Sequence, residues 1–433
     1  MANSPRRVVI TGGAAFTPIG TDAAAIWESL RAGRGGVAPI RAFDAARLPC
    51  RVAGEIPDFV ARTYFSNKDP AEKQMGRSLR LMSRTVQLGL VAAKFAMQDA
   101  GLVRGQYDST RFGVEFGCLM IAVEVDELVP AARAAVASPD APVNFQEWGA
   151  RGLDTIEPTW MLKFLPNMPA CHVSVLYDLQ GPSNSITSGD VASLLALGEA
   201  LRIIGRGQAD AFLVGGCDSR VSQLAYSRNN LFQPLSKRND EPARACRPFD
   251  KDRDGTVLGE GAGVVVLEEL EHARKRGAKI RAEVAGFGAA FDARRDGSGL
   301  ARAIQAALAD ANIGPEELDH VHAQGYGVPQ ADHWEAAGIR SALGAAADRV
   351  PVFAAKGYIG NLGAAAGIVE LFLSLLSLDH GELPSTLNCD SPDPACPVVI
   401  HNKGLRTITR PYMLKLGFTD MGQCAAAVLR KWE

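Results

Sequence analysis

The sequence predicts a duplicated α/β protein with five layers, in the order helix, sheet, helix, sheet, helix. A strand that runs into a glycine turn occurs twice, as RVVITGGAAF at 7–16 and as AEVAGFGAAF at 282–291. Each half later contains a helix, at 191–204 and 364–378, that is apolar on nearly every face. Such helices are buried on nearly every face, so we expect both of them between the two sheets.

In the first half, the predicted strands and helices follow one another in this order. After the strand at 7–16 comes an alanine-rich helix at 91–101, and then a candidate strand at 112–117. The turn Thr187-Ser-Gly-Asp190 consists of small residues and opens the first apolar helix. A buried strand that ends in glycines, followed by helical periodicity, is typical of alternating strands and helices.

The second half repeats this order. The strand at 282–291 precedes an alanine-rich helix at 303–312, a candidate strand at 320–324, and a turn at 360–363 that opens the second apolar helix. Strands that alternate with helices imply parallel-type sheets covered by helices. We divide the chain into an N-terminal half, 1–255, with its elbow at Asp190, and a C-terminal half, 256–433.

Composition excludes some classes of function. The 433 residues suit two units, and the values of 47% hydrophobic and 22% charged residues are ordinary for a globular protein. A formal net charge of -2 gives no general attraction to nucleic acid or to anionic membranes. A local basic patch for an acidic carrier protein stays open.

Cysteine spacing and hydropathy bear on location and on metals. Eight cysteines are scattered without CxxC spacing, so we expect neither a disulfide framework nor a metal site, and no motif calls for a cofactor. The first residues lack an apolar signal core, and the apolar stretch 362–378 is interrupted by Glu370 and is short for a membrane span. We expect a cytoplasmic protein.

Several motifs resemble the elongating β-ketoacyl-acyl-carrier-protein synthases. The strongest are RPFDKDRDG at 247–255 and GEGAGVVVLE at 259–268. Others with the same resemblance are VVITG at 8–12, TPIG at 17–20, YDLQGPS at 177–183 and ELPSTLN at 382–388. The resemblance runs from about residue 6 to the C-terminus. It implies the thiolase-type duplicated fold, a dimer, and an acyl-carrier protein or acyl-thioester as partner.

The positions that match the catalytic residues of that family are changed. In the family, a cysteine thiolate at the mouth of a buried helix takes the acyl chain, and two histidines and a lysine assist. Here the cysteine position falls on Asp190, and the histidine positions fall on Gln324 and Asn361, while the lysine is retained as Lys356. A carboxylate is a poor acyl nucleophile, and amides cannot transfer protons as imidazole does.

Four further positions are candidates for substrate binding. Tyr326 and Val328 stand where the resemblance implies two threonines that hold a pantetheine arm. Phe418 matches a phenylalanine that gates the acyl pocket, and Thr419 replaces a glycine beside it. Tyr326 could close the acyl tunnel or donate a proton.

The residual site has open interpretations. Asp190 is either a helix cap or a new acid or base, and Lys356 is either its ion-pair partner, or that of another carboxylate, or a catalytic residue. His320 and His322 alternate on a predicted strand and share a face, which is more typical of packing residues than of a metal pair.

Two hypotheses follow for function. The first is a ketosynthase-like protein of type II fatty-acid or polyketide synthesis that does not condense and that pairs, as a chain length factor does, with an active ketosynthase. Chain length factors often carry glutamine at the elbow, and this chain differs by carrying aspartate. The alternative is a homodimeric enzyme with altered acyl-thioester chemistry that uses Asp190 and Lys356.

Overall fold

The strands form where the apolar and glycine-rich runs of the sequence lie. The computed structural model describes residues 6–433. Its strands are β1 Val8–Phe16, β2 Val37–Pro39, β3 Val52–Gly54, β4 Phe112–Cys118, β5 Ser183–Ile186, β6 Ala211–Ser219, β7 Glu260–Glu269, β8 Ala282–Phe291, β9 Leu318–His322, β10 Val352–Phe353, β11 Glu382–Leu383, β12 Arg406–Thr407, β13 Tyr412–Phe418 and β14 Gln423–Lys431.

Seven of the thirteen α-helices follow an Asp, Asn or Ser residue or carry Pro in their first turn, as the preferences for helix N-termini predict. They are α1 Ala23–Arg31, α2 Pro70–Ser78, α3 Arg84–Asp99, α4 Val125–Ala134, α5 Phe145–Glu147, α6 Met168–Tyr177, α7 Ala192–Gly205, α8 Gln223–Phe232, α9 Leu270–Lys275, α10 Ser298–Ala311, α11 Pro329–Leu343, α12 Lys356–Ile359 and α13 Ala366–His380.

The duplication predicted from the sequence is present in the strand order. The large sheet runs β10-β9-β13-β14-β8-β1-β7-β6-β4-β5. It consists of two blocks of five strands, a first block β1-β7-β6-β4-β5 and a second block β8-β14-β13-β9-β10. Each strand of one block has a counterpart at the same distance from the centre of the sheet in the other. Among the described strands, the two blocks pair with each other only through β1 and β8, at Val9 with Glu283 and Ile10 with Ala282. Strand order therefore groups β7 with the first block, whereas a division after residue 255 would place it in the second.

Each block contains both parallel and antiparallel strand pairs, so the expectation of parallel-type sheets is only half right. The pairs β5–β4 and β4–β6 are parallel, while β6–β7 and β7–β1 are antiparallel. The second block repeats this, with β10, β9 and β13 parallel and β14 antiparallel to both neighbours. Residues 419–422 join β13 to β14 as a hairpin loop, and a hairpin connection can produce only antiparallel pairing.

The two apolar helices form the middle layer, as predicted. Helix α7 packs against β4 of the first block and β14 of the second, and α13 packs against β7 and β13. On the outer faces, α3 covers β1, β6 and β7, while α10 covers β8 and β14. The order helix, sheet, helix, sheet, helix is therefore confirmed.

One helical stretch, Gly363–His380, is long and apolar enough to cross a membrane, and 89% of that window is buried inside the protein. The central helix of a globular core has the same length and composition, and this stretch is the middle-layer helix α13 with the turn before it. All eight cysteines are free thiols, and Cys171 is the exposed one among them.

Candidate functional site

The site begins at a tight turn before α7. Gly189, with φ of +60°, starts a 3₁₀ turn that leads into the helix. A Cβ atom here would lie 2.8 Å from Cγ2 of Thr419, so both the backbone angle and the space call for glycine. The turn places the side chain of Asp190, which is 8% exposed, at the mouth of the central helix.

The carboxylate of Asp190 is held by three side chains. Arg220 forms an ion pair with Oδ1, Asn361 Nδ2 donates to Oδ2 over 2.7 Å, and the hydroxyl of Tyr326 lies 2.9 Å from Oδ2. None of its hydrogen bonds comes from a backbone N–H of α7, so the helix-cap interpretation does not describe its contacts. Asp190 is an acceptor in a side-chain network.

Arg220 extends this network toward the second central helix. Its Nε donates to Oδ2 of Asp218 over 3.0 Å, and the same oxygen accepts the backbone N–H of Ala364 over 3.3 Å. Ala364 lies in the 3₁₀ turn that opens α13. A single ionic cluster therefore lies at the mouths of both central helices.

The charges in the cluster follow from burial and pairing. Burial opposes ionisation of Asp190, but the Arg220 charge, the Asn361 hydrogen bond and the Lys356 charge together hold the pKa of Asp190 below its ordinary value. Burial raises the pKa of Asp218 despite its bond to Arg220. The pKa of Arg220 is raised, because its two carboxylate partners outweigh the effect of burial.

Asn361 couples the two helix mouths. Its side-chain Oδ1 accepts the backbone N–H of Gly363 over 3.1 Å, while its Nδ2 binds Asp190. Gly363 has φ of +58°, and a Cβ atom there would lie 1.9 Å from the Asp218 carboxylate. The matching angles of Gly189 and Gly363 show that the internal duplication extends to the two turns.

Tyr326 lies between the cluster and the second block. Its hydroxyl is also 2.8 Å from the carbonyl oxygen of Phe418, and the two rings meet edge to face at 5.2 Å. Burial and the Asp190 charge raise the pKa of Tyr326 well above its ordinary value, so the phenol remains protonated. With one proton and two acceptors, this hydroxyl positions Asp190 and the Phe418 loop together.

Lys356 does not pair with Asp190, which corrects one of the interpretations made from the sequence. Its Nζ lies 2.5 Å from Oε1 of Glu370 on α13, and Lys415 Nζ lies 2.7 Å from the other oxygen. The same ammonium lies over the ring of Tyr326, 5.5 Å from its centroid. Lys356 therefore acts on Asp190 only as a charge at a distance.

Gln324 lies deeper than the other matched positions. Its side chain is fully buried, and neither amide atom has a hydrogen-bond partner among the described residues. Its backbone N–H and that of Gly325 donate to Glu335 over 2.6 and 2.8 Å. Burial raises the pKa of Glu335 to about 7. It also raises the pKa of Asp332, which accepts the backbone N–H of Gly327, to about 6.

A cavity of about 220 Å³ opens beside the cluster. Six of the residues predicted for the site line it, namely Asp190, Asn361, Tyr326, Val328, Phe418 and Thr419. Arg220 and Asp218 were not predicted, although Arg220 also lines it. Gln324 and Lys356 are absent from the lining, because both lie behind the wall of the cavity.

Nothing in the cavity wall can serve as a thiol nucleophile or an imidazole base, since no cysteine or histidine lines it. The two alternating histidines are packing residues, as predicted: His320 bonds to Asp319 over 3.0 Å and His322 to Ser374 over 2.6 Å. Burial lowers the pKa of both. The chemistry that remains is hydrogen bonding and charge.

Arg220 and Asp218 were missed because their role depends on contacts across the fold. A sequence signal was present, since Asp218 lies within the buried strand β6 and Arg220 follows directly after its end. A buried charge must be paired or hydrogen-bonded. That rule predicts a partner for each residue without saying which one.

The family description "Beta-ketoacyl synthase, N-terminal domain" matches residues 5–273, and "Beta-ketoacyl synthase, C-terminal domain" matches 280–390. Among curated proteins, the 3-oxoacyl-acyl-carrier-protein synthase 2 of Vibrio cholerae serotype O1 is 36% identical over 397 residues, 90% of each chain. The enzyme of the same name from Staphylococcus aureus strain COL is 31% identical, and the match covers 99% of each chain.

Solved structures show the same similarity. A β-ketoacyl synthase from Burkholderia phymatum superposes with a TM-score of 0.86 at 30% identity, covering 99% of this chain and all of that one. The ishigamide ketosynthase/chain length factor has a TM-score of 0.83 at 28% identity, again over 99% of this chain and 100% of that chain.

Proposed function

This chain belongs to the β-ketoacyl synthase family, and from that premise we propose that it does not condense acyl groups. We infer that it is instead a partner subunit of the chain-length-factor type for an active ketosynthase of type II fatty-acid or polyketide synthesis. By the same proposal it works in the cytoplasm, with acyl-carrier protein near its cavity.

The state of Asp190 carries this proposal. Both of its oxygens are occupied, its pKa is held below the ordinary value, and its closest charge is the Arg220 guanidinium. A carboxylate that is ionised and bonded at both oxygens is a weak base and a weak nucleophile. Any acyl anhydride that it formed would also leave Arg220 without one of its two carboxylate partners.

The other positions that match the family site support the same conclusion. Gln324 and Asn361 carry amides, which donate hydrogen bonds but do not exchange protons near neutral pH. Lys356 is committed to Glu370. Decarboxylation of a malonyl group needs stabilisation of an enolate, and the one cation that lines the cavity, among the described residues, is Arg220, which already neutralises Asp190.

The surface favours assembly with a second chain. Strand β5 lies at the edge of the large sheet, and an edge strand is a template for pairing with another chain. Helix α6 packs against β5 and leaves Val175 58% exposed. One similar structure is described as a ketosynthase/chain length factor, and another as an acyl-carrier protein in complex with its ketosynthase.

One observation favours the alternative, an enzyme with altered acyl-thioester chemistry. Tyr326 does not fill the site, since a cavity of about 220 Å³ remains open beside Asp190. An open pocket next to a buried carboxylate could hold and act on a thioester. The contacts of Asp190 and Lys356 argue against a reactive group, so we keep this function second.

Intact mass spectrometry tests the absence of acyl transfer. After incubation with octanoyl-acyl-carrier protein, we expect the mass of the chain to be unchanged, because no thiol lines the cavity. The Asp190→Cys variant should also fail to elongate the chain with malonyl-acyl-carrier protein, because Gln324 and Asn361 supply no imidazole. Elongation by that single variant would contradict the proposal.

Co-expression tests the partner role. A cysteine-bearing ketosynthase from the same genome should co-purify with the tagged chain as a one-to-one complex and condense more slowly, or to another length, without it. Exposed Cys171 is changed to Ser in both experiments to remove adventitious acylation. Turnover of octanoyl-thioester by the chain alone, lost on Asp190→Ala, would instead establish the alternative.

A further inference from the structure

Two buried polar groups in the wall of the cavity lack a hydrogen-bond partner. Arg220 is 7% exposed, and its Nη1 has no partner among the described residues, although its Nε and Nη2 both bind carboxylates. The hydroxyl of Thr256, a residue that is 3% exposed, is without a partner in the same part of the chain. Both residues line the cavity of about 220 Å³. A buried donor without an acceptor is costly, so the two groups indicate the place of a bound molecule.

Thr256 is held beside the cavity by its backbone. Its N–H donates to the carbonyl oxygen of Pro234 over 2.9 Å, and its carbonyl oxygen accepts the N–H of Ser236 over 2.8 Å. Pro234 is itself part of the cavity wall. Because both backbone groups of Thr256 are bonded, its hydroxyl is already in position, and a ligand that binds it does not have to order this segment.

The other buried polar side chains of the wall already have partners. Asn361 and Tyr326 both donate to Asp190. The hydroxyl of Thr419 bonds to Gln423. A ligand in the cavity therefore meets a free N–H group of a guanidinium and a free hydroxyl. Both of these groups can donate a hydrogen bond, so the matching group of the ligand is an acceptor oxygen.

The charges around the cavity disfavour an anion. The Arg220 guanidinium already faces two carboxylates, those of Asp190 and Asp218. Asp420 adds another acidic side chain to the lining. A carboxylate ligand would bring a third negative charge to one guanidinium, and like charges at such short range repel. The oxygen of an uncharged carbonyl group accepts hydrogen bonds from the same donors without that repulsion.

The rest of the lining is mainly apolar. Its apolar residues are Leu119, Pro234, Val328, Ala331, Trp334 and Phe418. An apolar cavity of about 150 Å³ can hold a molecule of benzene, so this larger cavity has room for one ring with a short side chain. Aromatic rings in the wall, such as those of Trp334 and Phe418, pack well against the ring of a ligand.

We propose that this cavity reversibly binds a small neutral amide or ketone with an apolar body, whose polar end hydrogen-bonds to Nη1 of Arg220 and to the Thr256 hydroxyl. This assignment depends on the proposed function, because it takes Asp190 to be unreactive, and it adds the class of ligand. Asp190 and Asp218 keep their bonds to Nη2 and Nε of Arg220 when the ligand binds. No covalent bond forms or breaks.

Three probes that share one ring test the class of ligand. The chain alone is titrated with phenylacetamide, phenylacetate and ethylbenzene at pH 7.5, and binding is followed by NMR. We expect phenylacetamide to have a Kd at least about tenfold lower than either of the others, because it alone is both neutral and an acceptor. Equal binding of phenylacetate or of ethylbenzene, or the absence of saturable binding by the amide, would overturn the proposal.

Replacement of Thr256 tests the binding site itself. Thr256→Val should raise the Kd of phenylacetamide about tenfold, and Thr256→Ser, which keeps the hydroxyl, should stay within about threefold of the wild type. Without ligand, Thr256→Val should unfold at the wild-type temperature or above it, because the hydroxyl that it removes has no partner. Equal Kd values for the wild type and Thr256→Val would contradict the proposed contact.

The matched control is Thr85→Val. Thr85 is 2% exposed and lies outside the cavity lining, so this variant should leave the Kd of phenylacetamide unchanged. All of these titrations use neither a ketosynthase nor an acyl-carrier protein. Their failure is therefore distinct from a failure of co-purification, and acylation of the chain in the mass measurement would refute the proposed function separately.

Discussion

At the scale of single residues, the main feature of the site is the buried carboxylate of Asp190, which is paired and hydrogen-bonded. Asp190 at the elbow would be an uncompensated buried charge if it stood alone, and such a charge costs several kcal/mol. Arg220 supplies the compensation at Oδ1, and Asn361 and Tyr326 bind the other oxygen, Oδ2. The contacts that offset the cost of burying the Asp190 charge also make this carboxylate a weak base and a weak nucleophile.

A double-mutant cycle measures this coupling. Asp190→Ala and Arg220→Met should each lower the free energy of unfolding by about 3 kcal/mol, because each leaves a buried charge with fewer partners. The double variant should cost about 2 kcal/mol less than the sum of the two. Urea unfolding followed by fluorescence gives the three values.

The exposed ion pair Arg340–Asp348 is the control for that cycle, with Nη2 and Oδ1 2.6 Å apart and side chains 33% and 65% exposed. Its coupling should be much smaller than that of the buried pair, since solvent screens exposed pairs. Additive effects at Asp190 and Arg220 would show that the ion pair contributes nothing to stability.

At the scale of elements, α7 and α13 begin with similar turns, and one ionic cluster links the two turns. A glycine with positive φ starts each 3₁₀ turn, and the Asp218–Arg220–Asp190 cluster lies between the turns. Because Asp218 bonds to the turn of α13 and Asp190 belongs to that of α7, the cluster fixes the two helices relative to each other.

Gly363→Ala tests the close approach at the second turn. The new Cβ would meet the Asp218 carboxylate at 1.9 Å, so we expect the variant to lose at least about 2 kcal/mol more stability than Gly381→Ala. Gly381 has φ of +69° and nothing within 4 Å of its added Cβ, so it isolates the cost of the backbone angle. Equal losses in chemical denaturation would refute a role for the cluster.

At the scale of the whole molecule, the two blocks share their middle layer. Each central helix packs against strands of both blocks, and Gly198 of α7 fits against the ring of Phe287 on β8, where a Cβ would lie 2.2 Å from the ring. Removing one block would expose an apolar helix face to water, which is unfavourable in proportion to the exposed area.

We therefore expect a fragment of residues 1–277 not to fold by itself. Its near-UV circular dichroism should be weak, and it should show no cooperative thermal transition. Co-expression with residues 278–433 is the control and should restore both signals. A cooperative transition in the fragment alone would show that the first block is an independent domain.

Much of this architecture was predictable from the sequence. Local periodicity located the repeated strands and both buried helices, because burial on every face leaves an uninterrupted apolar run. Motifs that resemble the family placed six of the residues that line the cavity, since those positions follow fixed points along the chain. The sequence also predicted that neither a thiol nor an imidazole stands at the matched positions.

Only the tertiary structure decided the rest. It paired Lys356 with Glu370 rather than Asp190, assigned Arg220 to Asp190, and placed Gln324 behind the cavity wall. It also made each block of the sheet mixed. These features depend on which distant side chains meet when two blocks close around shared helices, and a linear pattern of apolar and polar residues carries no information about pairing across such a distance.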